Sequence, residues 1–312
     1  MTKQTGHTLL LLAASLIWGL AFVAQSMGSD LGAYTFLASR SWVALGILLP
    51  MILAFDTIRK KRGAPAGGPK TKADKKRLFL GAFTCGTALF AASAAQQIAI
   101  TIDPSTAKAS FITAMYVVLV PVGGILIGRR CGAQVWCCVA LSVLGLYLLC
   151  MQGGFGSISA SDWILLLCAA LFSCQILLVD YFSPLVDGIR LSFGMFFVEA
   201  VWSTIFAFAF EQPAWGQITA AALPILYCGL LSSGLGYTFQ ILGQEGLNPA
   251  VASLAMCPES VFGALGGWLI LGQTLTGREI GGCALIFAAV VLAQVPLKAL
   301  CGKAAAGAEE NG

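Results

Sequence analysis

Two stretches of the chain read as copies of one another: "TIDPSTAKASFITAMYVVLVPVGGILIGRRCGAQVWCCVALSVLG" at 101–145 and "GLNPAVASLAMCPESVFGALGGWLILGQTLTGREIGGCALIFAAV" at 246–290, some 144 or 145 positions later. In each, an Asx-Pro step opens a helix. A Gly-containing apolar span follows, then a very short turn and a second span rich in Gly or small residues. Working outward, apolar runs of roughly 20 residues, the length that crosses a hydrocarbon core of about 30 Å, lie at 8–27, 34–55, 78–99, 105–127, 132–151, 162–180, 191–210, 219–241, 249–271 and 278–297. Five spans per copy is an odd number, so the second copy must enter the membrane upside down relative to the first. The expected fold is an all-α integral membrane protein with ten transmembrane helices in two inverted five-helix repeats, residues 1–152 and 153–298. The tail 299–312, rich in Ala, Gly and Glu, is expected to be disordered.

Composition agrees with that reading. Of 312 residues, 58% are apolar and 10% charged, with a mean hydropathy of +0.86, against about 25% charged residues in soluble domains. The first run has a weakly basic start and small residues at Ala21 and Ala24, but Trp18-Gly19 interrupts it. With nine further spans after it, it reads as a first helix rather than a cleaved signal.

Charge sets the orientation. Residues 56–77 carry nine Lys or Arg, whereas the corresponding connection at 211–218 carries none. Placing 56–77 in the cytoplasm also puts Lys3, Arg129, Arg130, Arg190, Lys298 and Lys303 there, fifteen of the eighteen positive charges. Positive residues accumulate in cytoplasmic loops, so both termini are expected inside. That rule accounts for the basic loop without a nucleic-acid partner.

Several chemistries are excluded by what is missing. The one histidine, His7, precedes the first apolar run, leaving no membrane-buried His for a two-His zinc site, a bis-His haem or a Ser/His dyad. No Gly-rich phosphate loop ends in Gly-Lys-Ser/Thr, so movement of a solute would run on gradients. Nine of the eleven cysteines, among them Cys137 and Cys168, fall inside apolar runs with no C-x-x-C spacing, and read as small hydrophobes. Cys131 sits in a tight connection and Cys301 in the tail. No cofactor and no metal are expected.

Helical spacing puts Ser15, Trp18, Phe22 and Gln25 on one stripe of the first span, and Ser233, Tyr237, Gln240 and Gln244 on one stripe of the eighth. Gln96, Gln97 and Tyr116 are similar candidates in the third and fourth spans. Polar groups in hydrocarbon need partners or water, so these stripes should face the interior, either lining a cavity of aromatic and hydrogen-bonding groups or packing helix on helix. Arg40, Glu199 and Glu259 are ionisable and lie inside spans, each costing about 2.5–3.5 kcal/mol if unpaired. Arg40, some six residues from its helix edge, either clamps a carboxylate or snorkels to the interface. Glu259, near mid-span, and Glu199 are candidates for proton coupling. Lys108 reads as an interfacial anchor. The pairs Gly124/Gly128, Gly263/Gly267, Ser232/Gly236 and Gly277/Gly281 suit close helix contact.

Inverted repeats with a midplane site are characteristic of secondary transporters. More specifically, "LIWGLAFVAQ" in the first span, Arg40 in the second, "KASFITAMYVVLVPVGGILIG" in the fourth and "ESVFGALGGWLILGQTLTGREIGG" across the ninth and tenth resemble the EamA family of the drug/metabolite transporter superfamily. The resemblance covers roughly residues 8–297 and recurs in both halves. Where the family usually has an acid just after the ninth helix's Leu-Gly, this chain has Gln273, with Arg129 in the first half. The resemblance implies a multi-pass permease of the cytoplasmic (inner) membrane that exports small metabolites, often amino acids or related solutes. Its partners would be a small-molecule substrate and the lipid bilayer, with monomer and homodimer both open. Trp18, Gln25, Arg40, Gln97, Tyr116, Tyr237 and Gln240 are the candidate substrate-binding residues. The rival reading is a membrane-embedded enzyme or scaffold acting on lipid, which would use the basic 56–77 loop to hold anionic headgroups.

Overall fold

The computed structural model describes residues 3–63, 67–103, 106–150, 159–271 and 274–294, all helix and connection with no strand among them. In chain order these are α1 (Lys3–Met27), α2 (Ala33–Lys61), α3 (Lys72–Ile102), α4 (Thr106–Thr113), α5 (Tyr116–Leu126), α6 (Ala133–Cys150), α7 (Ala160–Phe182), α8 (Gly188–Phe210), α9 (Trp215–Ala220) and α10 (Ala222–Leu226). A π-helical segment (Tyr227–Gly236) follows, then α11 (Tyr237–Gln244), α12 (Pro249–Met256), α13 (Glu259–Leu271) and α14 (Gly277–Gln294). Among the described residues, eight helices or runs of consecutive helical segments are long and apolar enough to cross a membrane, and Ala133–Leu149 is a shorter apolar helix. The expected disordered tail, Lys298, Lys303, Cys301 and Gln273 lie outside the described residues, as does the Lys108 side chain.

Local sequence explains the helix starts. Thr71 and Asp74 form a capping box on α3, with Asp74 N donating to Thr71 Oγ1 at 3.1 Å and Thr71 N to Asp74 Oδ2 at 3.0 Å. Asn248 caps α12, its Oδ1 accepting from Ala250 N at 3.0 Å with Pro249 at the first helical position. The basic connection is shorter than its charge run. Helix α2 continues to Lys61 and α3 begins at Lys72, so several of those cations extend the helix ends.

The surface is inverted relative to a soluble protein. Leu126, Leu269, Phe79 and Phe208 are 71–85% exposed, while Gln97, Gln175, Glu199 and Arg40 are buried. With lipid as solvent this is the favourable arrangement, since apolar side chains lose nothing outside and polar ones find partners inside.

Contacts between the described elements correspond when α1–α6 are exchanged with α7–α14. Helix α3 packs on α7 and α8 as the π segment and α11 pack on α1 and α2; α5 meets α7 as α13 meets α1; α2 pairs with α8 and α6 with α14. One contact is made twice at atomic detail. A Cβ added to Gly86 would stand 2.6 Å from Met195 O and 2.7 Å from Val198 Cβ, and one on Gly229 would stand 2.8 Å from Arg40 O and 2.6 Å from Val43 Cβ. Each glycine therefore lets its helix lie against the partner's backbone where any side chain would clash. Gly145 and Gly282 face one another across α6 and α14 in the same way, as do Gly19 and Gly263 across α1 and α13. The small-residue pairs expected from spacing fare unevenly. Gly263 and Gly236 are in contact with α1, but Gly277 and Gly281 meet open space and Gly124 meets only its own turn at Arg129. Spacing finds a small-residue face without saying whether a helix lies against it.

Ion pairs gather at one end of the bundle. Arg59 bonds Asp187 at 2.7 Å, Arg190 bonds Asp56, and Arg129 bonds Asp180 at 3.1 Å. Each joins a residue of 1–152 to one of 159–294. At the opposite end the Glu211 carboxylate accepts from Tyr34 N and Thr35 N at 3.0 and 2.8 Å, meeting the positive end of α2.

Candidate functional site

Between the two halves lies a cavity of about 50 Å³. Helix α1 contributes Trp18, Phe22 and Gln25; α2 contributes Arg40; α3, Gln96; α4 and α5, Thr113 and Tyr116; α7, Phe172 and Gln175. The π segment contributes Ser232; α11, Tyr237 and Gln240; α12 and α13, Met256 and Glu259. Six of the seven residues expected to bind substrate, together with Glu259, therefore share one surface. Gln97 does not. One residue further along α3, it is rotated by about 100° from Gln96, fully buried away from the cavity, with both amide atoms unpartnered. Glu199 does not line the cavity either; it lies behind Arg40.

Backbone irregularity converges here. The fourth and ninth apolar runs, expected to be uninterrupted, each carry a two-residue turn through which backbone hydrogen bonds continue: α4 ends at Thr113 and α5 starts at Tyr116, while α12 ends at Met256 and α13 starts at Glu259. The residues flanking both breaks line the cavity. Pro258 explains the second break, because it offers no N–H to the turn before it; nothing comparable in the sequence stands at Ala114–Met115. Glu259, expected near mid-helix, is consequently the first residue of a helix. The π segment provides a third irregularity, and within it Ser232 O accepts from Trp18 Nε1 at 3.3 Å.

The aromatic wall is a contiguous stack. Trp18 and Tyr237 have ring centroids 4.8 Å apart at 54°, and Phe196 backs Tyr237 at 5.3 Å. The amides pair with one another: Gln240 Nε2 donates to Gln175 Oε1 at 3.1 Å and Gln175 Nε2 to Gln240 Oε1 at 3.5 Å, while Gln96 Nε2 reaches Thr113 Oγ1 at 3.5 Å. Gln244, at the far end of the same stripe, instead donates to Ile176 O, and the Ser15 hydroxyl bonds back to Leu12 O. Those two residues pack; they do not line.

The ionisable groups divide unequally. Arg40 Nη2 bonds Glu199 Oε1 at 3.3 Å, with side chains 4% and 0% exposed, so the guanidinium is paired inside the protein and does not snorkel. Ser41 and Ser93 stand beside the same carboxylate. Glu259 has no such partner. Its Oε1 is buried without a hydrogen bond, and the neutral Tyr116 hydroxyl, not a cation, stands beside the carboxyl group.

Gln175, Thr113, Phe172, Ser232 and Met256 were not among the candidates. Gln175 is legible in hindsight as a lone amide in an apolar run, the same signal that marks Gln25. Thr113 and Met256 are not, because their exposure to the cavity depends on the helix breaks.

Comparison with known proteins gives a consistent result. The sequence profile of the EamA-like transporter family matches residues 6–151 and again 160–294. An uncharacterized transporter of Archaeoglobus fulgidus is 24% identical over 280 residues, 89% of this chain and 82% of that one. A solved crystal structure superposes with a TM-score of 0.73 over 93% of this chain and 96% of its own, at 17% identity, a likeness that concerns the fold alone.

Proposed function

The chain belongs to the EamA-like transporter family, and from that premise we propose a secondary, ATP-independent permease that carries a small organic metabolite, such as an amino acid or related solute, out of the cell. Its ten spans form two inverted five-helix halves in the inner membrane, with both termini in the cytoplasm. Membership in a transporter family favours this reading over the lipid-acting alternative.

The observation that carries the proposal is the placement of the cavity. It lies on the seam between two similarly packed halves, the surface that alternating access exposes to each side in turn. Two spans are interrupted by a two-residue turn at its wall, a slighter form of the helix discontinuity found at transporter substrate sites. The cavity reaches from the middle of the bundle to Gln25, two residues from the end of α1 remote from the ion pairs. At about 50 Å³ it holds a few waters, whereas ligand sites run to roughly 300–1,000 Å³. The halves must part for a solute to bind.

Mass-spectrometric profiling of solutes leaving proteoliposomes loaded with a cell metabolite extract tests this. At least one organic solute should leave faster than from protein-free vesicles, and Trp18→Ala should slow it. Identical profiles with and without folded protein would refute transport.

A further inference from the structure

The charges on the cavity do not balance. Arg40 carries one positive charge, and Glu199 answers it at 3.3 Å. That leaves Glu259, 5% exposed, with Oε1 unbonded and its side chain on the cavity. The ionisable groups beside it are Tyr116 on α5, Tyr237 on α11, and Cys168 on α7; none is basic. A carboxylate withdrawn from water in this way is costly unless a proton or a positive charge joins it. Its position as the first residue of α13 lowers that cost by setting it at the positive end of the helix, but a helix end supplies only a fraction of a charge.

The surroundings specify what kind of positive charge fits. Tyr116, Trp18 and Tyr237 line the same small space, the last two with centroids 4.8 Å apart. Aromatic faces attract an organic ammonium through their quadrupoles, and do so more strongly where water is excluded. The remaining polar lining is amide, which hydrogen-bonds without adding charge. No described cation on the lining stands free to receive an anionic solute, because Arg40 is engaged by Glu199.

We infer that the ammonium is the group this site recognises: the transported solutes are organic amines or amino acids whose cationic nitrogen sits between Glu259 and the Trp18, Tyr116 and Tyr237 rings. The inference rests on the transport reading above and narrows it. A carboxylate on the solute is then tolerated rather than required. An acid lacking the amine offers nothing that the Glu259 carboxyl and the ring faces attract.

Matched sets of solutes test it. Proteoliposomes are loaded with an equimolar mixture built on propyl, phenyl and indolyl bodies, each as the amino acid, the amine without its carboxyl, the trimethylammonium analogue that cannot leak as a free base, and the acid without its amine. A metabolite extract is added as a reference, and release is read by mass spectrometry against protein-free vesicles. Ammonium-bearing members should leave at least tenfold faster than the matched acids. Glu259→Gln should abolish that preference, and Glu259→Asp should retain part of it, both variants being checked as folded by gel filtration. Faster release of acids or neutral solutes, or unchanged ammonium release by folded Glu259→Gln, would overturn the inference and leave transport standing. Release of nothing, from either the matched sets or the extract, would overturn transport and the inference with it.

Discussion

The Arg40–Glu199 pair links the two halves at the cavity wall, and its removal has a calculable effect. At 3.3 Å, two unit charges attract by about 5 kcal/mol at an effective dielectric near 20, set against a desolvation cost of several kcal/mol per ion. Breaking such a pair from one side leaves a buried charge uncompensated and typically costs about 3–5 kcal/mol. Replacing both partners with apolar residues of similar volume is often neutral or stabilising. Glu199→Leu should therefore be the most destabilising single change, since the stranded guanidinium cannot shed its charge. Arg40→Met should also be severe, and Arg40→Met with Glu199→Leu should recover most of the loss, giving a coupling energy of about 3 kcal/mol. Reversible denaturation by SDS in mixed micelles, followed by tryptophan fluorescence, measures all four corners of the cycle. The double variant should fold yet transport poorly, because Arg40 lines the cavity. Additive losses in the cycle would refute the pairing.

Other outcomes follow from the same structure. Gly19→Val should sharply reduce folded yield, because the added atoms meet the backbone of Glu259 and Gly263, whereas Gly281→Val faces open space and should be tolerated; equal yields would show that α1 and α13 do not approach so closely. Tyr237→Ala and Gln240→Ala should each raise the apparent KM by roughly five- to 150-fold, the equivalent of about 1–3 kcal/mol, while Cys137→Ala, on the exposed surface, leaves flux intact; losses that merely track protein abundance would identify the stripes as packing. A reporter active only in the cytoplasm should work when inserted near Gly67 and fail between 153 and 160, and an external signal from the Gly67 insertion would reverse the topology.

Much of the architecture was legible because lipid imposes long apolar runs, and because the duplication leaves an Asx-Pro step at 103–104 and again at 248–249. The polar stripes of α1 and α11 were legible for the same reason, since an amide in hydrocarbon has few places to go. What escaped depends on distance or on backbone breaks. Arg40 looked free to snorkel because its partner is 159 residues away. Glu259 looked like a helix-interior residue because one must know that Pro258 ends α12 rather than kinking it. Neighbouring Gln96 and Gln97 were indistinguishable until the rotation of α3 was known.

If the seam cavity opens to both sides in turn, a cysteine placed in it should react from either side of the membrane. Ser232→Cys is a small change at a buried lining position. Its reaction with a membrane-impermeant thiol reagent can be followed by peptide mass spectrometry, which separates it from the native cysteines, in right-side-out and inside-out vesicles. Alternating access requires labelling from each side, slowed by transported solute, with no passage of the reagent through the protein. Labelling from neither side, or from one side only under every condition that supports flux, would contradict it.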